Sequence, residues 1–178
     1  MKRLGLPIAL VAVVGGLLGL FAMANNGNTP AKASGPLLGD QHANQGQTHI
    51  AVGSSHVAYN SEMPSSGPHY PTPTSWGIKT DPIVDETLVH NEEHGGIVIA
   101  YKPDLSADQV SKLKDIAGKL PQSSQFNEVK VVLVPRPANV KPIELAAWTY
   151  TYNLDTPDAN KITQFYNDHL DKGPELIP

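Results

Sequence analysis

Between Val57 and Ile83 stand five prolines, Pro64, Pro68, Pro71, Pro73 and Pro82, and no other feature restricts the folding of this chain so strongly. Proline lacks the backbone N–H and holds φ at about −65°, so the stretch can be neither a helix interior nor a central strand. It also contains Tyr59, Tyr70, Trp76 and Ile78, side chains with which an irregular segment packs itself down, and this argues for an ordered wrap rather than a disordered linker. One histidine sits inside it, His69 in "SGPHYPTPTSWG". Prolines on both sides reduce the entropy lost in holding that imidazole in place.

Regular patterning begins after the wrap. "DETLVHNEEHGG" reads as a short helical segment closed by Gly95 or Gly96 in a left-handed cap, and "IVIAY" (Ile97 to Tyr101) has the β-branched content of a buried strand. "SADQVSKLKDIAGKL" opens with a capping box of Ser106 and Gln109 and sets Val110, Leu113, Ile116, Ala117 and Leu120 on one helical face. Val129 to Pro135 and Ile143 to Leu154 predict two further strands, the latter turning Trp148, Tyr150 and Tyr152 to one side. A final helix is expected from Thr156 as cap and Pro157 as first residue, ending at Gly173. The order strand, helix, strand, strand, helix predicts an α+β fold, a small mixed sheet with two helices on one face, preceded by the Pro/His-rich wrap.

The N-terminus predicts where this domain works. Lys2 and Arg3 precede an uncharged run from Leu4 to Ala24, about the 20 residues that a membrane span needs and more than the roughly 7 to 15 of a signal-peptide core. Residues 1–24 are therefore expected to be a single-pass membrane anchor with the basic end inside, 25–46 a tether rich in Asn, Gly, Gln and Ala, and 47–178 the globular domain outside the cytoplasm. Ala22-Met23-Ala24 also fits a cleavage site, which would release the domain as a secreted or periplasmic form. With 13 Lys and Arg against 17 Asp and Glu, the net charge of −4 argues against nucleic acid as a partner. The chain has no cysteine, so thiolate ligands, Cys nucleophiles and disulfides are excluded.

Six of the seven histidines, at positions 42, 49, 56, 69, 90 and 94, precede residue 95, and seven carboxylates lie between Ala33 and Tyr101 against one lysine, Lys79. That field favours a bound cation. His90 and His94 are four apart, so on a helix both imidazoles share one face. His69 from the braced wrap and Met63, the one methionine outside the leader, complete a candidate set of His69, His90, His94 and Met63. A thioether suits copper, Cu(I) above all, while three histidines suit copper and zinc equally, so the set predicts a transition metal ion, copper ahead of zinc. Met63 reads equally well as a core gap filler. His49 and His56 are reserve ligands that read more readily as solvated residues at the domain entrance.

His90-Asn91-Glu92-Glu93-His94 also satisfies H-x-x-E-H, the pattern of inverted zinc peptidases with Glu93 as base. That chemistry needs a further ligand, for which Glu128, Glu144, Glu175 and His169 are the downstream candidates. His169, at helical spacing from Ile162, Phe165 and Tyr166, reads as a packed or hydrogen-bonded side chain.

"YNSEMPSSGPHYPTPTSWG", "LVHNEEHGGIVIAY" and "FYNDHLDKGPELIP" resemble the prokaryotic domain of unknown function 3105 family. Its pattern is YNxxPPTSGPH, then HNxEHG, then GPE near the C-terminus, usually behind a membrane anchor. The resemblance covers about Gln47 to Pro178 and implies that His69, His90 and His94, with Asn91, Glu93 and Gly95, belong to the signature. Met63 stands where the family often has proline. The family carries no assigned activity. Three functions thus follow from the sequence: an extracytoplasmic copper-binding or copper-handling protein, a metal-dependent hydrolase at the same site with Glu93 or Glu92 as base, or a module that binds a peptide or another envelope protein through the Pro and aromatic loop.

Overall fold

The structure is a computed structural model and describes residues 36–178. The expected anchor, and the tether as far as residue 35, lie outside the described residues; among those described, no helix is long and apolar enough to cross a membrane. The elements are β1 (Asp40–Gln41), β2 (Gly77–Ile78), α1 (Asp85–Glu93), β3 (Ile97–Tyr101), α2 (Ala107–Ala117), β4 (Val131–Pro135), β5 (Ile143–Ala147), β6 (Tyr150–Leu154) and α3 (Ala159–His169). The fold is α+β with one mixed sheet, ordered β1-β6-β5-β3-β4-β2. β3 and β4 run parallel, joined by α2, whereas β5 lies antiparallel to β3 and to β6.

The expected order needs three corrections. The run Ile143 to Leu154 is a hairpin rather than one strand: Trp148 and Thr149 form its turn, Thr149 with φ 62°, and Trp148 leaves the alternating row that Tyr150 and Tyr152 keep. Helices number three among the described residues, and they cover both faces of the sheet. The reason is written in β3 and β4, which are apolar at every position and wholly buried, so neither face can be left to water. Ile97, Ile99, Val131, Leu133, Ile143 and Leu145 pack with Leu113 of α2 and Ile162, Phe165 and Tyr166 of α3. The alternate residues Val98, Ala100, Val132, Val134 and Ala146 pack on the other face with Leu88 of α1 and with Met63, Trp76 and Ile83 of the wrap. Third, α3 begins at Ala159 with Asp158 as its cap, accepting from the N–H groups of Asn160 and Lys161, so Thr156 and Pro157 precede the helix. Half of the expected capping box of α2 forms: Ser106 accepts from the Gln109 N–H, while the Gln109 side chain accepts from the Ser106 hydroxyl rather than from its N–H.

Part of the stretch assigned to the tether is seated on the sheet. Asp40 and Gln41 pair with Thr151 and Tyr150, and the Leu38 N–H donates to Asp168 while its carbonyl accepts from His169 Nε2 at 2.8 Å. Composition could not reveal this, because backbone groups at a sheet edge recruit a partner strand whatever its side chains.

Candidate metal centre

α1 is a short helix that buries polar side chains: His90, Asn91, Glu92 and Glu93 are all less than a tenth exposed, beside Leu88 and Val89. Buried polar groups persist when they are paired, and the wrap supplies most of the pairs. Asn91 clamps it by donating to the Thr74 carbonyl at 2.8 Å and accepting from the Thr74 N–H at 3.0 Å. The Tyr70 N–H donates to the Glu86 carbonyl, and the Tyr59 hydroxyl to that of Pro68. Gly95 closes the helix with φ +76°, the left-handed cap expected from sequence.

His69 is held from both sides. Its N–H donates to the Thr48 carbonyl and its carbonyl accepts from the Ile50 N–H, a two-residue bridge that brings His49 alongside. Its Nδ1 donates to the Gly67 carbonyl at 2.7 Å, and its Nε2 faces Glu93 Oε2 at 2.9 Å. The His49 Nε2 stands 3.2 Å from the same carboxylate oxygen. On α1, the His90 Nδ1 donates to the Tyr70 carbonyl at 2.6 Å and its Nε2 lies 2.9 Å from the Nε2 of His94. The rings of His49 and His90 stack, centroids 5.0 Å apart, and His69 meets both edge-on.

This arrangement fixes tautomers. A carbonyl only accepts, so Nδ1 of His69 and of His90 must carry a hydrogen, and Nε2 is the nitrogen that holds the lone pair whenever the ring is neutral. Burial, only partly offset by the Tyr70 carbonyl, lowers the His90 pKa and favours that neutral ring. Metal-ligating histidines are held in the same way, the far N–H given to a carbonyl and the near nitrogen free to coordinate.

One donor atom from each of His49, His69, His90 and Glu93 falls within 4.8 Å of the others. His94 stands to the side, in a second group with Glu93 and Glu175. Burial and then the neighbouring His90 lower its pKa, and its Nε2 is 3.6 Å from Glu175 Oε2. Two neutral nitrogens at 2.9 Å need a hydrogen between them, which assigns an Nε2–H on His94 donating to His90 and leaves His94 Nδ1 with the lone pair.

Of the residues singled out in the sequence, His69, His90 and His94 are thus brought together, all buried, whereas Met63 is 2% exposed within the apolar cluster of Leu88, Val98 and Val132. His49 stands in the sequence only as a reserve ligand, read more readily as a solvated residue. It shows no helical or strand periodicity of its own, and only the backbone bridge to His69 gives it away. Glu175, weighed as a hydrolase ligand, reaches the centre on the C-terminal tail, whose Glu175 N–H donates to the Glu93 carbonyl at 3.0 Å. Glu144 and His169 are engaged elsewhere, with Arg136 and with the Leu38 carbonyl. His42, Tyr59 and Trp148 line two open concavities, neither of which is lined by the imidazole cluster.

The family described as protein of unknown function (DUF3105) has a model that matches residues 50–177. The chain belongs to this family. No curated protein and no solved structure matches it. In this DUF3105 protein the three segments that carried the resemblance serve one construction. HNxEHG forms the last turn of α1, and GPH delivers His69 to it. GPE brings the tail back across the helix end, where a Cβ on Gly173 would overlap backbone atoms of Glu93 and Gly95. Lys130, fully buried, fastens this closure through the carbonyls of His94 and Ile177.

Proposed function

We propose that this protein is an extracytoplasmic metal-binding protein, tethered to the membrane through residues 1–24, that holds a divalent transition ion on His49, His69, His90 and Glu93. One observation carries the reading: one donor atom each of His49, His69, His90 and Glu93 falls within 4.8 Å of the others, and the Gly67 and Tyr70 carbonyls occupy Nδ1 of the buried His69 and His90, which leaves Nε2 as the nitrogen each can offer. Three imidazoles and a carboxylate form a borderline set without sulfur. Such a set holds Cu²⁺ above Zn²⁺ by the general order of divalent affinities, which keeps copper first without relying on Met63. His49, its side chain 42% exposed, would be the ligand met first by an incoming ion or by an envelope protein that delivers one.

The hydrolase reading has less support. Glu93 stands within the donor group rather than beside it, and four protein donors leave a tetrahedral ion no position for water. The peptide-binding reading is weakened because the His69 ring meets that of His90, centroids 5.1 Å apart, and shares the donor group with it, while Thr74 is tied to Asn91.

The test is elemental analysis of the full chain, stripped with chelator, reloaded with Cu²⁺ or Zn²⁺ and desalted. At least one tightly held equivalent is expected, lost in His69→Ala and His90→Ala. Failure to retain either metal, or retention unchanged in both variants, refutes the reading.

A further inference from the structure

Two of the buried atoms at this centre have no hydrogen-bond partner, Glu93 Oε1 and His94 Nδ1. Glu93 Oε1 can only accept and His94 Nδ1 accepts when Nε2 carries the ring hydrogen, each belongs to a residue no more than 5% exposed, and leaving such a group unsatisfied costs about 1–3 kcal/mol. Both residues belong to the second group of donors, in which one atom each of Glu93, His94 and Glu175 lies within 4.8 Å of the others. Glu93 is common to both groups, with its Oε2 turned to His49 and His69.

We propose that His94 and Glu175 form a second metal position beside the first, with Glu93 as the carboxylate that bridges the two. This rests on the metal-binding reading above and extends it from one ion to a pair. A bridging carboxylate uses one oxygen for each ion, which gives Oε1 a partner without displacing Oε2 from the first position. Carboxylate-bridged ion pairs stand about 3.5–4 Å apart in enzymes that use two metals.

The tail is built to deliver its ligand. The Glu175 N–H is tied to the carbonyl of Glu93 itself, and the Asp171 N–H to that of Gly95. Gly173 permits the close crossing, and Lys130 holds the Ile177 carbonyl at 2.8 Å. Glu175 is the more exposed member, its side chain 39% accessible. The second ion is therefore the more weakly held and more exchangeable of the two, and its binding pins the tail to the end of α1.

Titration of the chelator-stripped full chain with Cu²⁺, followed by electron paramagnetic resonance and by elemental analysis after desalting, decides the matter. The first equivalent should give the signal of an isolated Cu²⁺. The second should broaden or quench it by spin coupling, because the two ions are neighbours. In Glu175→Gln the first equivalent and its isolated signal should persist, while the second is lost or its affinity falls by at least about tenfold. Saturation of the parent at one equivalent, or a second equivalent whose spins remain isolated, overturns the proposal and leaves the first position standing. Retention of neither copper nor zinc fails the underlying reading instead.

Discussion

Replacing Glu93 by Gln separates the two ways in which this cluster can be held together. The His69 Nδ1 hydrogen is committed to the Gly67 carbonyl, so its Nε2 and Glu93 Oε2, 2.9 Å apart and 0% and 1% exposed, face each other as two acceptors. Either a proton or a metal ion must lie between them. A glutamine brings its own N–H, which can donate to Nε2, and it carries no charge for burial to penalise. In the metal-free protein a neutral hydrogen bond of about 1 kcal/mol then replaces a charge-assisted one of about 1.5–3 kcal/mol, while the desolvation cost of a buried ion disappears. The net change is about 1 kcal/mol in either direction, or about 2–4 °C in melting temperature for a domain of this size. Metal binding responds far more. Glu93 is the one anion among the four donors, and removing one partner from a buried charged pair costs about 3–5 kcal/mol, roughly 100- to 3000-fold in affinity. Chelator-competition titrations with Cu²⁺ and Zn²⁺, paired with melting curves in excess chelator, read both quantities on the full chain. Unchanged affinity refutes Glu93 as a ligand. A fall of more than about 10 °C in the metal-free melt refutes the assignment of tautomers.

Met63→Leu conserves volume within an apolar cluster and should cost less than about 1.5 kcal/mol while copper stoichiometry stays the same; loss of Cu(I) on elemental analysis would show instead that the thioether ligates. Gly173→Ala drives a Cβ into the backbone of α1, to 2.7 Å from the Glu92 carbonyl among other contacts, and should strip the bonds of Asp171, Glu175 and Lys130 around the crossing. At about 1 kcal/mol each this predicts a melting temperature lower by roughly 6–12 °C, and a parent-like melt would mean that the tail is not closed on the helix. Glu92 is 0% exposed with neither carboxylate oxygen partnered, and burial, reinforced by Asp85, raises its pKa well above the usual range despite Arg136. Because the folded value is the higher one, its contribution is fully present below the ordinary carboxylate pKa and is lost as pH rises through the folded value. Glu92→Gln should remove that loss, so its stability advantage in chemical denaturation should widen as pH rises above the ordinary carboxylate range; parallel pH profiles would count against a neutral Glu92.

Local chemistry was enough for much of this molecule. Periodicity and capping residues specify a helix by contacts three and four residues apart, so α2 and its Ser106 cap, and the spacing that puts His90 and His94 on one turn, can be read from neighbouring letters. The wrap was legible as irregular and ordered because proline excludes the alternatives at each position. The uninterrupted apolar letters of β3 and β4 already imply two covered faces, although placing α1 on the second required the fold.

Tertiary structure decided the membership of the metal centre. His49 and His69 are 20 residues apart and meet through two backbone hydrogen bonds, which leave no trace in side-chain pattern. Met63 and His69 lie in one loop, yet one side chain enters the apolar cluster and the other the imidazole cluster, a choice made by the turn of the chain at Gly67, φ +117°. Glu175 arrives from the far end of the sequence because Gly173 lets two backbones touch. Sequence alone determined which donors were available and which helix would present two of them. The convergence of His49, His69, Glu93 and Glu175 belongs to the tertiary structure, because metal coordination is a matter of distance in space, and residues far apart in the chain acquire such distances only when the backbone closes.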